Sequence, residues 1–297
     1  MKTEIRKVLY GLLMLAGLTS CDKIEEGKYR KPQSSTPPPT NTDNGDTTLT
    51  FGTPFKTVLL EDCTGHLCVN CPTAADRAKS LKDKYGEQVV VMSVHLSEDA
   101  DPYPAPSKFS YNFHTTEGDL INQQFGVSKL GLPQGLINRK KSGADSYCFL
   151  NGIWPTLIDT ILQGTPSLNL AVKAIYSSGT NAVSVNFGAK FLKALTGNLN
   201  IGVYLTEDSI IQAQAYPGNK TVDNYVFRHT LRTSATGVFG QALQAGSNLS
   251  YAVNQTVYKH FTIPLKNDWI PKRLTVVACI MNASTYEILE VVETHVQ

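Results

Sequence analysis

The sequence predicts an α/β domain followed by an all-β sandwich domain, and three observations carry that reading. Residues 55–96 run strand, helix, strand. From Ser167 onward the apolar side chains switch to short alternating runs. A stretch with no apolar side chain, Lys31 to Thr48, sets both apart from an apolar N-terminus. A length of 297 residues agrees with two domains at about 150 residues each.

The N-terminus reads as an export signal. Lys2, Arg6 and Lys7 precede Val8 to Leu18, an apolar run of eleven residues. A spanning helix needs about 20 apolar residues, so the run fits a secretory signal instead. It ends in Leu18-Thr19-Ser20-Cys21, which resembles the bacterial lipobox. That resemblance implies removal of residues 1–20 and lipidation of Cys21, with the acyl chains in a membrane as the first partner. Residues 21–50 then form a tether. Pro37 to Pro39 favour an extended chain, and the segment lacks the apolar surface that folding requires. Asp22, Glu25 and Glu26 fit either a surface-export signal or a solvated linker.

Charge excludes one partner class. Three of the 27 basic side chains and one of the 25 acidic ones lie in the first 20 residues, so the rest of the chain carries no net charge. Without a basic excess there is little to neutralise phosphates, and nucleic acid is set aside.

The expected α/β domain spans residues 51–165. Phe55 to Asp62 reads as a buried strand. A helix pattern follows from Pro72, with Ala74, Ala78 and Leu81 on one face and Gly86 as its stop. Gln88 to Leu96 is the second buried strand, and the spacing implies parallel pairing with a right-handed crossover. Asp119 to Phe125 and Trp154 to Leu162 are further helix patterns, and residues 97–118 are an insertion rich in Pro, Asp and aromatics.

The chemistry lies at the first junction. Cys68-Val69-Asn70-Cys71 sits where the strand gives way to the helix. There the first thiol meets unpaired N–H groups and the positive end of the helix dipole, which favour its thiolate. Pro72 is tolerated in the first turn. An exported chain lets a disulfide persist. His66 with the pair gives H-x-C-x-x-C, open to a metal reading or to a solvated loop histidine. Cys63 reads as a small buried hydrophobe or a resolving thiol. Cys279 reads as a core strand residue. With Cys21 lipidated five cysteines remain, so any pairing leaves one free.

These residues resemble thioredoxin-like proteins over about 51–165. The resemblance rests on the Cys68–Cys71 loop, on Asp62 six residues earlier, and on Gly131-Leu132-Pro133. It implies a buried acid at Asp62 that moves a proton during exchange and a cis-proline at Pro133 that faces the pair. Leu67 and Cys63 stand where aromatics are common, and Gln134 stands where a Thr is usual.

Residues 166–297 carry the second pattern. Val183, Val185 and Phe187 alternate with polar or small residues, as do Ile201, Val203 and Leu205. Leu274 to Met281 and Ile288 to Val296 add strands, which together read as a β-sandwich. Tyr204 to Asp208 and Asn224 to Arg232, with the lipobox and the Cys loop, resemble a bacterial lipoprotein family named after a twenty-eight-kilodalton outer-membrane protein. The resemblance implies an Ig-like sandwich behind the thioredoxin-like domain and a lipid anchor in the outer membrane, on the periplasmic or the surface face. His229 and Arg232 fit a structural role or a ligand site.

Two function classes follow. In one, Cys68 attacks a protein substrate, Cys71 resolves the mixed disulfide, Asp62 relays the proton and Pro133 aligns the substrate backbone, with no cofactor and no metal. In the other, the pair is a structural staple. The sandwich, or the aromatics Tyr103, Phe109, Tyr111 and Phe113, then holds a protein or glycan.

Overall fold

The computed structural model describes residues 46, 48–141 and 146–297, and the signal segment and Cys21 lie outside the described residues. The first half supplies β1 (Val58–Thr64), α1 (Cys71–Tyr85), β2 (Val89–His95), α2 (Thr116–Phe125), β3 (Gln134–Ile137), β4 (Cys148–Phe149) and α3 (Trp154–Leu162). The second half begins with β5 (Leu168–Ser177), β6 (Ala182–Phe191), β7 (Leu195–Thr196), β8 (Leu199–Glu207), β9 (Ile210–Tyr216) and β10 (Lys220–Phe227). It continues with β11 (Thr230–Ser234), β12 (Gln241–Ala242), β13 (Ser250–Tyr251), β14 (Thr256–Pro264), β15 (Leu274–Asn282) and β16 (Ile288–His295).

Local chemistry explains the helices near the site. Pro72 occupies the first turn of α1, where its missing N–H has no helical partner to lose. Ala74, Ala78 and Leu81 recur every three or four residues and are buried, so this stripe docks the helix on β1 and β2. In α2 the Thr115 hydroxyl accepts the Gly118 N–H at 3.0 Å, and Gly126 ends the helix in the left-handed region.

The expected fold, an α/β thioredoxin-like domain followed by a separate all-β Ig-like sandwich, requires correction. The described chain is mostly strand, and one nine-stranded mixed sheet runs through both halves in the order β16-β15-β8-β11-β2-β1-β3-β4, with β12 beside β8. The splice is β11. It pairs antiparallel with β8 and meets β2 in parallel, with Thr230 opposite Ser93. The Ser93 N–H donates to the His229 carbonyl at 2.8 Å across the joint.

Side-chain alternation shows why the sheet is shared. One face holds a continuous core in which Leu59, Cys63 and Met92 from the first half join Tyr204, Val277 and Cys279 from the second, covered by Ile121 and Phe125 of α2. The opposite face has two covers. Helices α1 and α3 pack on Val58, Leu60 and Val91. A three-stranded sheet, β14-β6-β5, packs on Val203, Leu205, Val276 and Ala278. Strand β1 is buried along its whole length, as an interior strand of a two-faced sheet must be. Period-two patterning marks each strand but does not say which sheet it joins. The single parallel contact at Thr230 has no sequence signature.

Gly135 illustrates the packing at the far edge. It lies on β3 opposite Asp62, and a side chain there would collide with the Trp154 indole, whose Nε1 donates to the Phe149 carbonyl at 2.8 Å.

Candidate functional site

The site is built where β1 ends and α1 begins. Cys68 and Cys71 form a disulfide three residues apart, buried to 8% and 1% exposure. The intervening Val69 and Asn70 are exposed. The loop is held from inside by backbone bonds from Cys68 N to Gly65 O and from Cys71 N to Cys68 O. Gly65 is required by packing: a Cβ there would lie 2.4 Å from that of Asp99, while the Leu67 N–H donates to the Asp99 carbonyl.

A hairpin from the second half closes over this loop. Strands β9 and β10 pair only with each other. The Ala215 N–H of β9 donates to the His66 carbonyl at 2.8 Å. The buried Gln214 amide donates to the carbonyls of Cys68, Ala215 and Gly65 at 3.0, 2.9 and 3.4 Å. Between hairpin and helix lies a cavity of about 50 Å³ lined by Asp62, Cys71, His95, Gln214, Tyr225 and His229 among others.

Asp62 is the unusual group in that cavity. It is buried, and its Oδ1 has no hydrogen-bond partner among the described residues. Burial without a compensating charge pushes its carboxyl up to about 7. Tyr225 across the cavity is raised to about 12, by burial first and then by the carboxylates of Asp76 and Asp62. His95 is buried against Phe113, with ring centroids 4.3 Å apart, and desolvation lowers it to about 3. It is therefore a neutral imidazole at physiological pH.

Pro133 stands after a cis peptide bond from Leu132. It precedes Gln134, which pairs with Cys63 on β1, so it lies one strand over from the Cys loop. The structure thus brings Asp62 and Cys71 to one cavity, while Pro133 is not among the residues lining it.

Other expectations change. His66 is buried rather than solvated, and its Nε2–H donates to the Asp101 carbonyl at 3.0 Å. The insertion aromatics divide. Phe113 is 2% exposed and packs with Phe227 and Tyr111, whereas Tyr103 is 53% exposed. Cys63, Cys148 and Cys279 are free and buried. Burial pushes Cys148 up to about 11 and Cys279 up to about 12, and holds Cys63 well above its ordinary value. None of the three is poised as a thiolate.

Arg232 is held by the protein itself. Its Nε lies 3.2 Å from Glu207 Oε2, its Nη1 donates to Tyr111 at 2.9 Å, and its guanidinium stacks 5.2 Å from the Trp269 ring. His229 has a positive φ, and its N–H donates to Asp208 at 2.9 Å.

Two groups near the site escape a reading of the sequence. Gln214 sits in an alternating strand where nothing marks it as inward. Glu61 and Arg139 form a buried bidentate pair at 2.8 and 2.6 Å, with Arg139 also donating to the Val238 carbonyl at 2.7 Å. Here a signal existed: Glu61 and Asp62 are adjacent acids in an otherwise apolar strand, and each requires a cation or a proton.

The family described as "Outer membrane protein Omp28" matches residues 119–297, three-fifths of the chain. The chain belongs to the Omp28 family. Membership places it at the outer membrane. The Omp28 match begins after the Cys68–Cys71 loop, so the family says nothing of that pair. Among solved structures, HBP35 of Porphyromonas gingivalis is similar with a TM-score of 0.56 at 20% identity, over 82% of this chain and 76% of that one. This likeness shows a shared fold. An Agrobacterium tumefaciens protein gives a TM-score of 0.46 at 16% identity, over 82% of this chain and 95% of that one. A domain of the outer membrane lipoprotein Omp28 from Porphyromonas gingivalis gives 0.29 at 18% identity, over 44% and 89%. No curated protein matches the chain. Among the described residues no helix is long and apolar enough to cross a membrane.

Proposed function

We propose that this Omp28-family chain exchanges disulfides with protein substrates in the cell envelope through Cys68 and Cys71. The observation that carries the reading is Asp62. A buried carboxyl without a partner for its Oδ1, held near neutrality beside Cys71, is costly to keep for structure alone.

The chemistry balances without a cofactor. A substrate thiolate attacks the Cys68 sulfur, the Cys68–Cys71 bond breaks, and Cys71 leaves as a thiolate that takes the Asp62 proton. A second substrate thiol, giving up its proton, then attacks the substrate sulfur of the mixed disulfide and releases Cys68. The substrate dithiol becomes a disulfide and the protein disulfide becomes two thiols. The reverse sequence reduces a substrate. Cys68 precedes α1, whose N-terminal N–H groups favour a thiolate there. Pro133 aligns the substrate backbone.

One observation favours the staple reading instead. Both sulfurs are nearly buried, and the Gln214 amide already occupies the Cys68 carbonyl. Trapping separates the two. Cys71→Ser captures a mixed disulfide through Cys68 on reduced envelope extracts re-exposed to oxidised proteins, and Cys68→Ser captures none. Equal, empty lanes from both variants leave the staple.

A further inference from the structure

We propose that Tyr225 hands the Asp62 proton to and from solvent, so that the hairpin from the second half of the chain completes the cysteine site. The inference deepens the exchange reading, in which Asp62 protonates Cys71 with a proton drawn ultimately from water. Asp62 is 1% exposed, so its proton has no direct way out. Register places it inside the sheet, opposite Ser93 of β2, which in turn lies opposite Thr230 of β11. The cavity between α1 and the β9–β10 hairpin is the route left, and at about 50 Å³ it has room for roughly three or four waters. Asp62 Oδ1 and both ring nitrogens of His95 belong to its lining, with hydrogen-bonding capacity that no described residue uses. Such polar partners are what a buried water requires.

Besides Asp62 and the disulfide, the charged or titratable lining is Asp76 and Lys79 from α1, His95 from β2, Tyr225 from β10, and Arg228 and His229 from the link to β11. Lys79 and Arg228 are cations with no lone pair to take a proton. His95 leads inward, because its ring is buried and stacked on Phe113. The His229 ring turns to Asp208, with Nδ1 3.7 Å from Oδ1. Tyr225 remains. It is half-buried, and Asp76 is exposed. Both line the cavity with Asp62, and the Tyr225 hydroxyl feels the charge of Asp76 first and of Asp62 next. The phenol keeps its own proton, since burial raises it to about 12. It therefore relays by accepting a proton on its oxygen as it gives up the one it holds, and no charge is left on it.

The backbone is shaped to present this side chain. Val222 pairs with Gln214 but Tyr225 pairs with Gln212, so β10 carries one extra residue between them. Without that bulge Asn224 would stand opposite Gln212. The bulge instead turns Tyr225 to the face it shares with Gln214, whose amide reaches the cysteine loop. Two contacts hold it there. Phe227 packs edge-on against the Tyr225 ring at 4.8 Å between centroids, and Lys108 pairs with Asp223 in the bulge at 2.7 Å.

The test follows the Asp62 proton by infrared spectroscopy on the full, oxidised chain in detergent. At about pH 5 Asp62 holds its proton, and its carboxyl band is the one lost in Asp62→Asn. On mixing with heavy water the band shifts as deuterium replaces hydrogen, at a rate set by the route. Tyr225→Phe keeps the ring, removes the hydroxyl and is expected to slow the shift at least tenfold. Asp76→Ala changes an exposed position without risk to the fold and is expected to slow it at least threefold. A smaller slowing in either variant, or none, overturns the proposal. So does a faster shift in Tyr225→Phe, the outcome if the phenol only holds the hairpin down and its loss admits water. The measurement involves no thiol chemistry, so the two readings fail separately. Empty trapping lanes from Cys71→Ser sink the exchange reaction, and an unmoved proton rate sinks the role of Tyr225.

Discussion

The side-chain amide of Gln214 donates to the Cys68 carbonyl at 3.0 Å, joining two residues 146 apart in the chain. The contact ties the second half of the chain to the cysteine loop and gives the disulfide a cover. Gln214→Ala leaves the Cys68 carbonyl buried without that donor, at a cost of about 1–3 kcal/mol. It also loosens the β9–β10 hairpin. The expected outcome is faster reduction of Cys68–Cys71 by dithiothreitol and a lower urea midpoint, both read on the same protein. An unchanged reduction rate would show that the hairpin does not limit access.

Asp62 makes stability depend on pH with a definite sign. Its carboxyl sits at about 7 in the folded chain against 3.8 when exposed, so between those values the folded chain holds a proton that the unfolded chain has released. Stability from this group therefore falls as pH rises from about 4 to about 7 and is level above. Asp62→Asn keeps the shape and removes the charge. The variant is expected to be more stable than wild type at pH 8, by on the order of a few kcal/mol, and no more stable at pH 4. Urea midpoints at the two pH values check this. Exchange should slow in the same variant, because Cys71 loses its proton partner.

Glu61 and Arg139 are both fully buried beneath the shared core. Arg139→Met leaves a carboxylate in the interior and should cost about 3–5 kcal/mol. Glu61→Leu with Arg139→Met removes both charges and should recover most of that loss. Chemical denaturation of the two variants measures it. A double variant as unstable as the single one would mean that the Arg139 bond to Val238, rather than the charge pair, holds this region.

Much of this architecture was legible in the sequence because each element depends on local chemistry. Pro72, the Ala74–Ala78–Leu81 stripe and Gly86 announce α1 from neighbours alone. The alternation at Val183 to Phe187 and at Ile201 to Leu205 announces β6 and β8. Assembly was not legible. Nothing in Thr230 says that β11 will lie against β2, so a split into two fold types was the natural and mistaken expectation. The pairing of Cys68 with Cys71 followed from spacing around one strand-helix junction, and the place of Asp62 near them from the thioredoxin-like resemblance. Gln214, Tyr225 and His95 reach that junction only through the tertiary fold, and no local pattern marks them.

The reduction potential of the Cys68–Cys71 pair tests the exchange mechanism most directly. It is read by equilibrating the full chain in glutathione buffers and counting thiols. A proton-poised Asp62 beside Cys71 and a helix N-terminus beside Cys68 both stabilise the reduced pair. The account therefore predicts a potential above about −300 mV that shifts downward in Asp62→Asn at pH 6. A potential below about −300 mV, unchanged by that substitution, would contradict it and mark the pair as a structural bridge.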